Sequence, residues 1–289
     1  MKLCLGTVQF GLNYGIENKK IEKQEIEKIF ETALENNIIY LDTAQAYGDA
    51  EEIIGNFSKR KEFKIISKLS STSLKNFRDI EELEKIIQNS LENLKVSKLD
   101  AILLHNTNDI KNIEFIENLS KLNKKGYFKN LGVSIYTPDE AEEILKNEKI
   151  KYIQVPYNIL DTRLDKINFF KRAHKSDKVI FVRSAFLQGT LLKEHSRYPD
   201  YLEELKVYDD LLNEEVKRLE VNKVSFLLNF LKLNKNIDYI VFGIEDYNQL
   251  LEIIKYYKNE ELNNYDFYKL REKFKNIPEK ILNPSLWGK

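Results

Sequence analysis

The sequence predicts a single-domain α/β protein built as a (β/α)8 barrel. Eight short apolar runs recur along the chain, and amphipathic helical stretches alternate with them. The competing arrangement, a doubly wound open sheet, would often carry a G-x-G-x-x-G turn after its first strand. Here the first run leads into GTVQFG at 6–11, which does not fit that pattern.

The runs are KLCLG at 2–6, IIYLD at 38–42, FKIISK at 63–68 and LDAILLH at 99–105. They continue with FKNLGVS at 128–134, KYIQVP at 151–156, KVIFVRS at 178–184 and IDYIVFG at 237–243. Each is rich in Ile, Leu, Val, Phe and Tyr, as strands buried on both faces are. Between them, 22–37 places Ile26, Ile29, Phe30, Ala33 and Leu34 on one helical stripe. The stretch 80–95 does the same with Ile80, Leu83, Ile86, Ile87, Leu91 and Leu94. Further helices read at 112–125, 138–147, 164–175, 203–219, 223–233 and 246–258. Thr137-Pro138 supplies an N-cap and a first-turn proline, and Asn222 caps the helix starting near Lys223. No low-complexity linker or composition break divides residues 1–289, so one domain is expected. A tail from about residue 259, with Tyr265, Phe267, Tyr268 and Trp287, lies outside the alternation. It is expected near the barrel mouth, either folded over it or packed on the outer helices.

Composition narrows the function. Lys+Arg and Asp+Glu are both 46, so the net charge is zero, which argues against a general nucleic-acid or acidic-membrane partner. The one cysteine, Cys4, excludes an intramolecular disulfide, fits a reducing compartment and reads as a buried thiol. No apolar run approaches the roughly 18 residues of a membrane span, and no signal-peptide pattern opens the chain, so a cytoplasmic location is expected. No Cys/His set has metal spacing.

In such a barrel chemistry sits at the C-terminal ends of the strands. The second run ends at Asp42, with Tyr47 in the loop after it; the third ends at Lys68 and the fourth at His105. Taken singly, these read as a capping acid, a packing phenol, a solvated strand end and a hydrogen-bonded histidine. Their joint placement on three consecutive strand ends points to chemistry. A tyrosine with a pKa of about 10 is a poor acid near neutrality. A lysine ammonium beside it would lower that pKa, and a carboxylate would keep the lysine charged. A neutral histidine would orient a carbonyl oxygen. Such a set suits protonation of an oxygen as hydride reaches the adjacent carbon.

With these residues in view, the chain resembles the aldo-keto reductases. The resemblance rests on GTVQFG at 6–11 and DTAQAYGDAEEIIG at 42–55, extended by ISK at 66–68, LLH at 103–105 and LGVS at 131–134. QVPYN at 154–158 and RSAFLQGTLL at 183–192 carry it on, to about residue 258. It implies a (β/α)8 barrel that reduces carbonyls with NAD(P)H. Tyr47 would be the proton donor, Asp42 and Lys68 its tuning pair, and His105 the carbonyl-orienting residue. The hairpin that plugs the barrel bottom in many members of the family is not expected here.

The resemblance also implies a cofactor site. Ser134 and Gln154 match positions that hold the nicotinamide carboxamide, although Ile135 stands where an asparagine usually follows. Arg183 replaces a ring-stacking tyrosine, a role a planar guanidinium can also fill. Ser184, Leu187 and Gly189 fall in the pyrophosphate loop. At 243–253 Gly243 and Gln249 match the adenosine-end pattern, but Glu245 replaces an arginine and Ile253 an asparagine. A carboxylate at 245 would repel a 2′-phosphate and accept from a free ribose hydroxyl, so NADH is favoured over NADPH.

Three other groups were weighed. Arg163 reads as a salt-bridged loop residue rather than an anion receptor, and His174 as solvated. His195 lies in the loop after the seventh run, where a packing role outweighs contact with substrate or cofactor. The reading is an NAD(P)H-dependent oxidoreductase acting on a small aldehyde or ketone, with sugar-derived carbonyls among the candidates, as a monomer or small homo-oligomer. A nucleotide-binding regulatory subunit, and an oxidative dehydrogenase or epimerase on the same scaffold, remain alternatives.

Overall fold

The computed structural model describes residues 1–69, 79–258, 262 and 267–287. Its strands are β1 (Lys2–Gly6), β2 (Tyr40–Asp42), β3 (Lys64–Leu69), β4 (Leu99–Leu104), β5 (Phe128–Ser134), β6 (Tyr152–Pro156), β7 (Val179–Arg183) and β8 (Tyr239–Phe242). All pair in parallel, each with its sequence neighbours, and β1 pairs with β8 to close the barrel. The helices are α1 (Val8–Gly11), α2 (Lys23–Glu35), α3 (Ala50–Asn56), α4 (Ile80–Leu94), α5 (Ile113–Lys124) and α6 (Pro138–Leu145). They continue with α7 (Phe169–Lys175), α8 (Leu205–Arg218), α9 (Lys223–Lys232), α10 (Tyr247–Lys258), α11 (Phe267–Glu272) and α12 (Glu279–Leu282).

The expected elements are present with local differences. β2 is shorter than the 38–42 run, because the Ile38 N–H is taken by the Ala33 carbonyl at the end of α2. The expected helix at 164–175 divides at Asn168, whose φ of 52° is left-handed; a 3-10 turn over Arg163–Ile167 precedes α7. The four-residue α1 had no periodic signal. Both expected caps form. The Thr137 hydroxyl accepts from the Glu140 N–H while the Glu140 carboxylate accepts from the Thr137 N–H, and Asn222 accepts from Val224 and Ser225. Such caps contribute about 1 kcal/mol each.

Two layers of core follow from the closed sheet. Outside the strands, Phe10, Phe30, Phe57 and Phe63 pack ring on ring under α2 and α3. A separate cluster joins Cys4, Tyr40, Ile66, Ala101, Leu103, Tyr152, Phe181 and Val241, with Tyr239 packed against it. There Phe181 stacks on Tyr239 at 4.6 Å, Tyr40 meets Tyr239 at 4.5 Å, and the Tyr152 hydroxyl donates to Asp100 at 2.9 Å. Burial pushes the Cys4 thiol up, as an inert packing residue requires.

Of the two placements weighed for the tail, packing on the outer helices describes its start. Phe267 meets Phe226 and Phe230 of α9, at 5.1 and 5.7 Å between ring centroids. Further on, Arg271 pairs with Asp165, Glu279 with Arg163 and Lys280 with Glu204, on the loops after β6 and β7. Trp287 donates to the Ile281 carbonyl and lies 6.2 Å from the Tyr201 ring. Tyr265 lies outside the described residues. Among the described residues, no helix is long and apolar enough to cross a membrane.

Candidate active site

The strand ends bring Asp42, Lys68 and Tyr47 into direct contact. Register puts Asp42 beside Ile66, and Lys68 two residues further along β3 reaches back over it. The ammonium donates to Asp42 Oδ2 at 2.6 Å, to the Thr43 carbonyl at 3.1 Å and to Tyr47 Oη at 3.4 Å. Three donors thus meet three acceptors, the condition under which a buried ammonium is tolerated. Lys68 is 2% and Asp42 4% exposed. The other Asp42 oxygen accepts from Gln154 Nε2 at 2.8 Å. His105, one residue past β4, places its ring 6.3 Å from that of Tyr47.

Backbone packing sets the position of Tyr47. A Cβ added to Gly11 would lie 1.7 Å from the Tyr47 carbonyl oxygen. Gly48 has a left-handed φ of 59°, and its own added Cβ would lie 2.6 Å from the Gly11 carbonyl. Only glycine permits this approach, so the last residue of GTVQFG holds α1 against the phenol's loop. From the other side, Glu51 of α3 accepts from Ser67 Oγ of β3 at 2.6 Å. That buried carboxylate, raised above its ordinary pKa by burial, ties the helix after Tyr47 to the strand carrying Lys68.

The electrostatics correct one expectation. Burial is the largest influence on Tyr47 and raises its pKa above the ordinary tyrosine value; the Lys68 charge lowers it, but by less. The phenol is therefore held protonated rather than made more acidic. Burial disfavours the charge on Lys68, yet Asp42 and Tyr47 outweigh it and hold the lysine pKa up. His105 falls to about 4, from burial first and then from the Lys68 charge, so its imidazole is neutral at pH 7.

A cleft open to solvent adjoins Asp42 and Tyr47. Its lining includes Asp42, Tyr47, Gln154, Arg183, Ser184, Gly189, Gly243, Glu245 and Gln249, all singled out from sequence. Ser134 pairs with Gln154 in the sheet, and both are buried. Ile135 is fully buried, with its N–H on the Gln154 carbonyl, so its side chain packs in the core. Leu187 is also fully buried; it belongs to a loop with left-handed φ at Ser184, Leu187, Gln188 and Gly189. A non-glycine residue as bulky as leucine in that region is strained backbone, which persists where the surroundings demand it.

Glu245 is not the free carboxylate the sequence implied. Lys193 of the loop after β7 pairs with it and lies 3.6 Å from Glu17, which in turn pairs with Arg197 at 2.9 Å. Two cations and two anions therefore close the adenosine end expected of the cleft. Sequence reasoning missed Lys193, Glu17, Tyr14 and Gln9. Tyr14 and Gln9 line the cleft from the segment after β1. Gln9 lies inside GTVQFG and Tyr14 three residues after it, and nothing in the sequence marks either further.

Arg163 and His195 sit elsewhere. Arg163 binds Asp161 through two 2.8 Å contacts and reaches Glu279 at 3.2 Å. His195 meets the fully buried Asp209 at 2.9 Å; Asp209 also holds Tyr198 and Lys223, so it anchors the loop after β7. His174 is exposed on α7.

Comparison with known proteins agrees with the fold and the family resemblance. Residues 2–275 match the model of the aldo/keto reductase family. The uncharacterized oxidoreductase YqkF of Bacillus subtilis is 29% identical over 155 residues, covering 49% of this chain and 50% of that protein. The aldo-keto reductase YhdN of the same organism is 28% identical, over 50% of this chain and 46% of that one. The chain thus spans about half the length of the curated relatives it matches. Among solved structures, the holo form of an aldo-keto reductase from Bacillus halodurans superposes with a TM-score of 0.77 at 20% identity, over 98% of this chain and 95% of that one.

Proposed function

The chain belongs to the aldo/keto reductase family, and on that premise we propose that it reduces an aldehyde or ketone with NADH or NADPH, Tyr47 delivering the proton. The observation that carries this reading is the Tyr47–Lys68–Asp42 chain of contacts at 3.4 and 2.6 Å on the edge of the cleft. A phenol held protonated, backed by a fixed ammonium, is a general acid that stays loaded at neutral pH. As the carbonyl oxygen gains charge, Tyr47 passes its proton to that oxygen. Lys68 stabilises the phenolate left behind, and Asp42 keeps Lys68 charged and aimed. The neutral His105 hydrogen-bonds the carbonyl oxygen and turns its carbon toward the cofactor.

The residues at the cleft fit a dinucleotide. Gln154 presents an amide at the strand ends, next to Ser134. The Thr43 hydroxyl is buried without a partner nearby. The left-handed run through Ser184, Leu187 and Gly189 forms the kind of backbone concavity that takes a phosphate. Gly243 and Gln249 border the far end, where the Gln249 side chain accepts from the Glu245 N–H at 2.7 Å. When bound, the nicotinamide supplies hydride to the carbonyl carbon. Glu17 and Glu245 already engage Lys193 and Arg197, so neither of these cations is free for a 2′-phosphate, which supports a modest preference for NADH.

The test is titration of the protein with NADH and NADPH, followed by turnover of a reactive aldehyde. Tyr47→Phe is expected to lower kcat at least 100-fold with cofactor binding nearly unchanged. Undiminished turnover in Tyr47→Phe would remove the tyrosine from the mechanism.

A further inference from the structure

Three charged side chains line the cleft: Asp42, Arg183 and Glu245. Asp42 is paired with Lys68 and Glu245 with Lys193. Arg183 alone has no carboxylate partner among the described residues. Its guanidinium makes two long hydrogen bonds, from Nη1 to Ser184 Oγ and from Nη2 to the Ile135 carbonyl, both at 3.4 Å. A guanidinium has five N–H donors, so most of its capacity is unused. Tyr136 covers one face of the group at 4.3 Å, which fixes the plane of the fork without neutralising it. A half-buried, oriented and uncompensated guanidinium costs free energy unless something completes it.

The placement of this charge is specific. Arg183 ends β7 and lines the same cleft as Tyr47, and its field reaches Tyr47, His105 and Tyr14. Arginines of the neighbouring loops are paired, Arg163 with Asp161 and Glu279 and Arg197 with Glu17. Among the described residues, an anion entering the cleft beside the phenol therefore meets one cation without a carboxylate partner, and that group has the planar geometry that suits a carboxylate.

Resting on the reductase reading above, we propose that the substrate is an anionic carbonyl compound, an aldehyde or ketone carrying a carboxylate, and that Arg183 takes that carboxylate while Tyr47 and His105 engage the carbonyl. Arg183 thereby sets substrate class. The ring-stacking role implied by resemblance is a competing use of the same guanidinium, and the Arg183 variants below separate the two.

The experiment compares matched substrates with the full chain and saturating cofactor: benzaldehyde against its 2-, 3- and 4-carboxy derivatives, and glyceraldehyde against glyceraldehyde 3-phosphate. The quantity read is the ratio of kcat/KM, anionic over neutral. A ratio of at least about tenfold is expected for the best-placed carboxylate, carried by KM and falling with added salt. Arg183→Gln should collapse that ratio toward unity, and Arg183→Lys should keep part of it. A preference found for the phosphate alone would overturn the carboxylate assignment. A ratio near unity in the wild type, or one that Arg183→Gln leaves untouched while weakening cofactor affinity, would overturn the proposal and make Arg183 a cofactor residue. If benzaldehyde and glyceraldehyde are turned over without any anionic preference, the reductase reading stands and this inference falls; no turnover of any substrate with either cofactor overturns both.

Discussion

Asp42→Asn is the substitution that asks most of the site. The change is isosteric, but it removes the only carboxylate bonded to a lysine that is 2% exposed. At the observed 2.6 Å, two unit charges in an effective dielectric of 20 attract by about 6 kcal/mol. The asparagine oxygen recovers one hydrogen bond, and the Thr43 carbonyl and Tyr47 hydroxyl still face the ammonium. The asparagine nitrogen then faces Lys68, donor against donor, or Gln154, whose amide must turn over to accept from it. Removing one partner of a buried pair costs about 3–5 kcal/mol, and that is the loss of stability expected in urea unfolding at constant m. Function should move with it. Burial opposes the charge on Lys68, and Asp42 is the chief influence against burial, so without Asp42 the lysine pKa falls. The basic limb of the pH–rate profile then shifts to lower pH. Combining Asp42→Asn with Lys68→Met removes both charges, and the double-mutant cycle should return a coupling of at least about 2 kcal/mol. A single-mutant loss below about 1 kcal/mol, with no coupling, would refute the claim that these groups form a buried, mutually stabilising pair.

Other outcomes follow from the same geometry. Glu245→Gln releases Lys193, so NADPH affinity should gain about tenfold on NADH, roughly 1.4 kcal/mol; titration of both cofactors checks it, and an unchanged ratio would place the ribose elsewhere. His105 is held at about 4 against its ordinary 6.5. The unfolded chain therefore binds this proton at higher pH than the folded one. The associated stability is complete above pH 6.5 and is lost as pH falls toward 4, by up to about 3 kcal/mol. Unfolding of the wild type and His105→Gln across that window should diverge on the acid side, and parallel curves would contradict the depressed pKa.

Much of the architecture was legible because it rests on local rules. Eight apolar runs became strands since parallel strands buried on both faces leave a continuous apolar signature. Thr137 and Asn222 capped their helices because capping is decided within four residues. The Asp42, Tyr47, Lys68 and His105 positions could be read at strand ends, because barrel topology converts sequence order into spatial order. What escaped depends on distant partners. Glu245 is 52 residues from Lys193, which neutralises it, and nothing local announces that pairing. The same holds for Arg183 and Tyr136. The direction of the Tyr47 shift was misjudged because sequence reveals neighbouring charges but not the depth of burial, and burial won.

The aromatic layer inside the barrel has a practical consequence. Tyr40, Tyr152, Phe181 and Tyr239 form a connected ring cluster across β2, β6, β7 and β8, and Tyr40 of β2 meets the other three strands only when the sheet is closed. The sole tryptophan, Trp287, reports from the opposite environment, the tail beside α12. The indole emission follows docking of the tail, while the near-ultraviolet dichroism, summed over the 16 tyrosines and the indole, includes the barrel set and changes when the barrel opens. Coincidence or separation of the two melting curves reads out, without any label, whether tail and barrel form one cooperative unit.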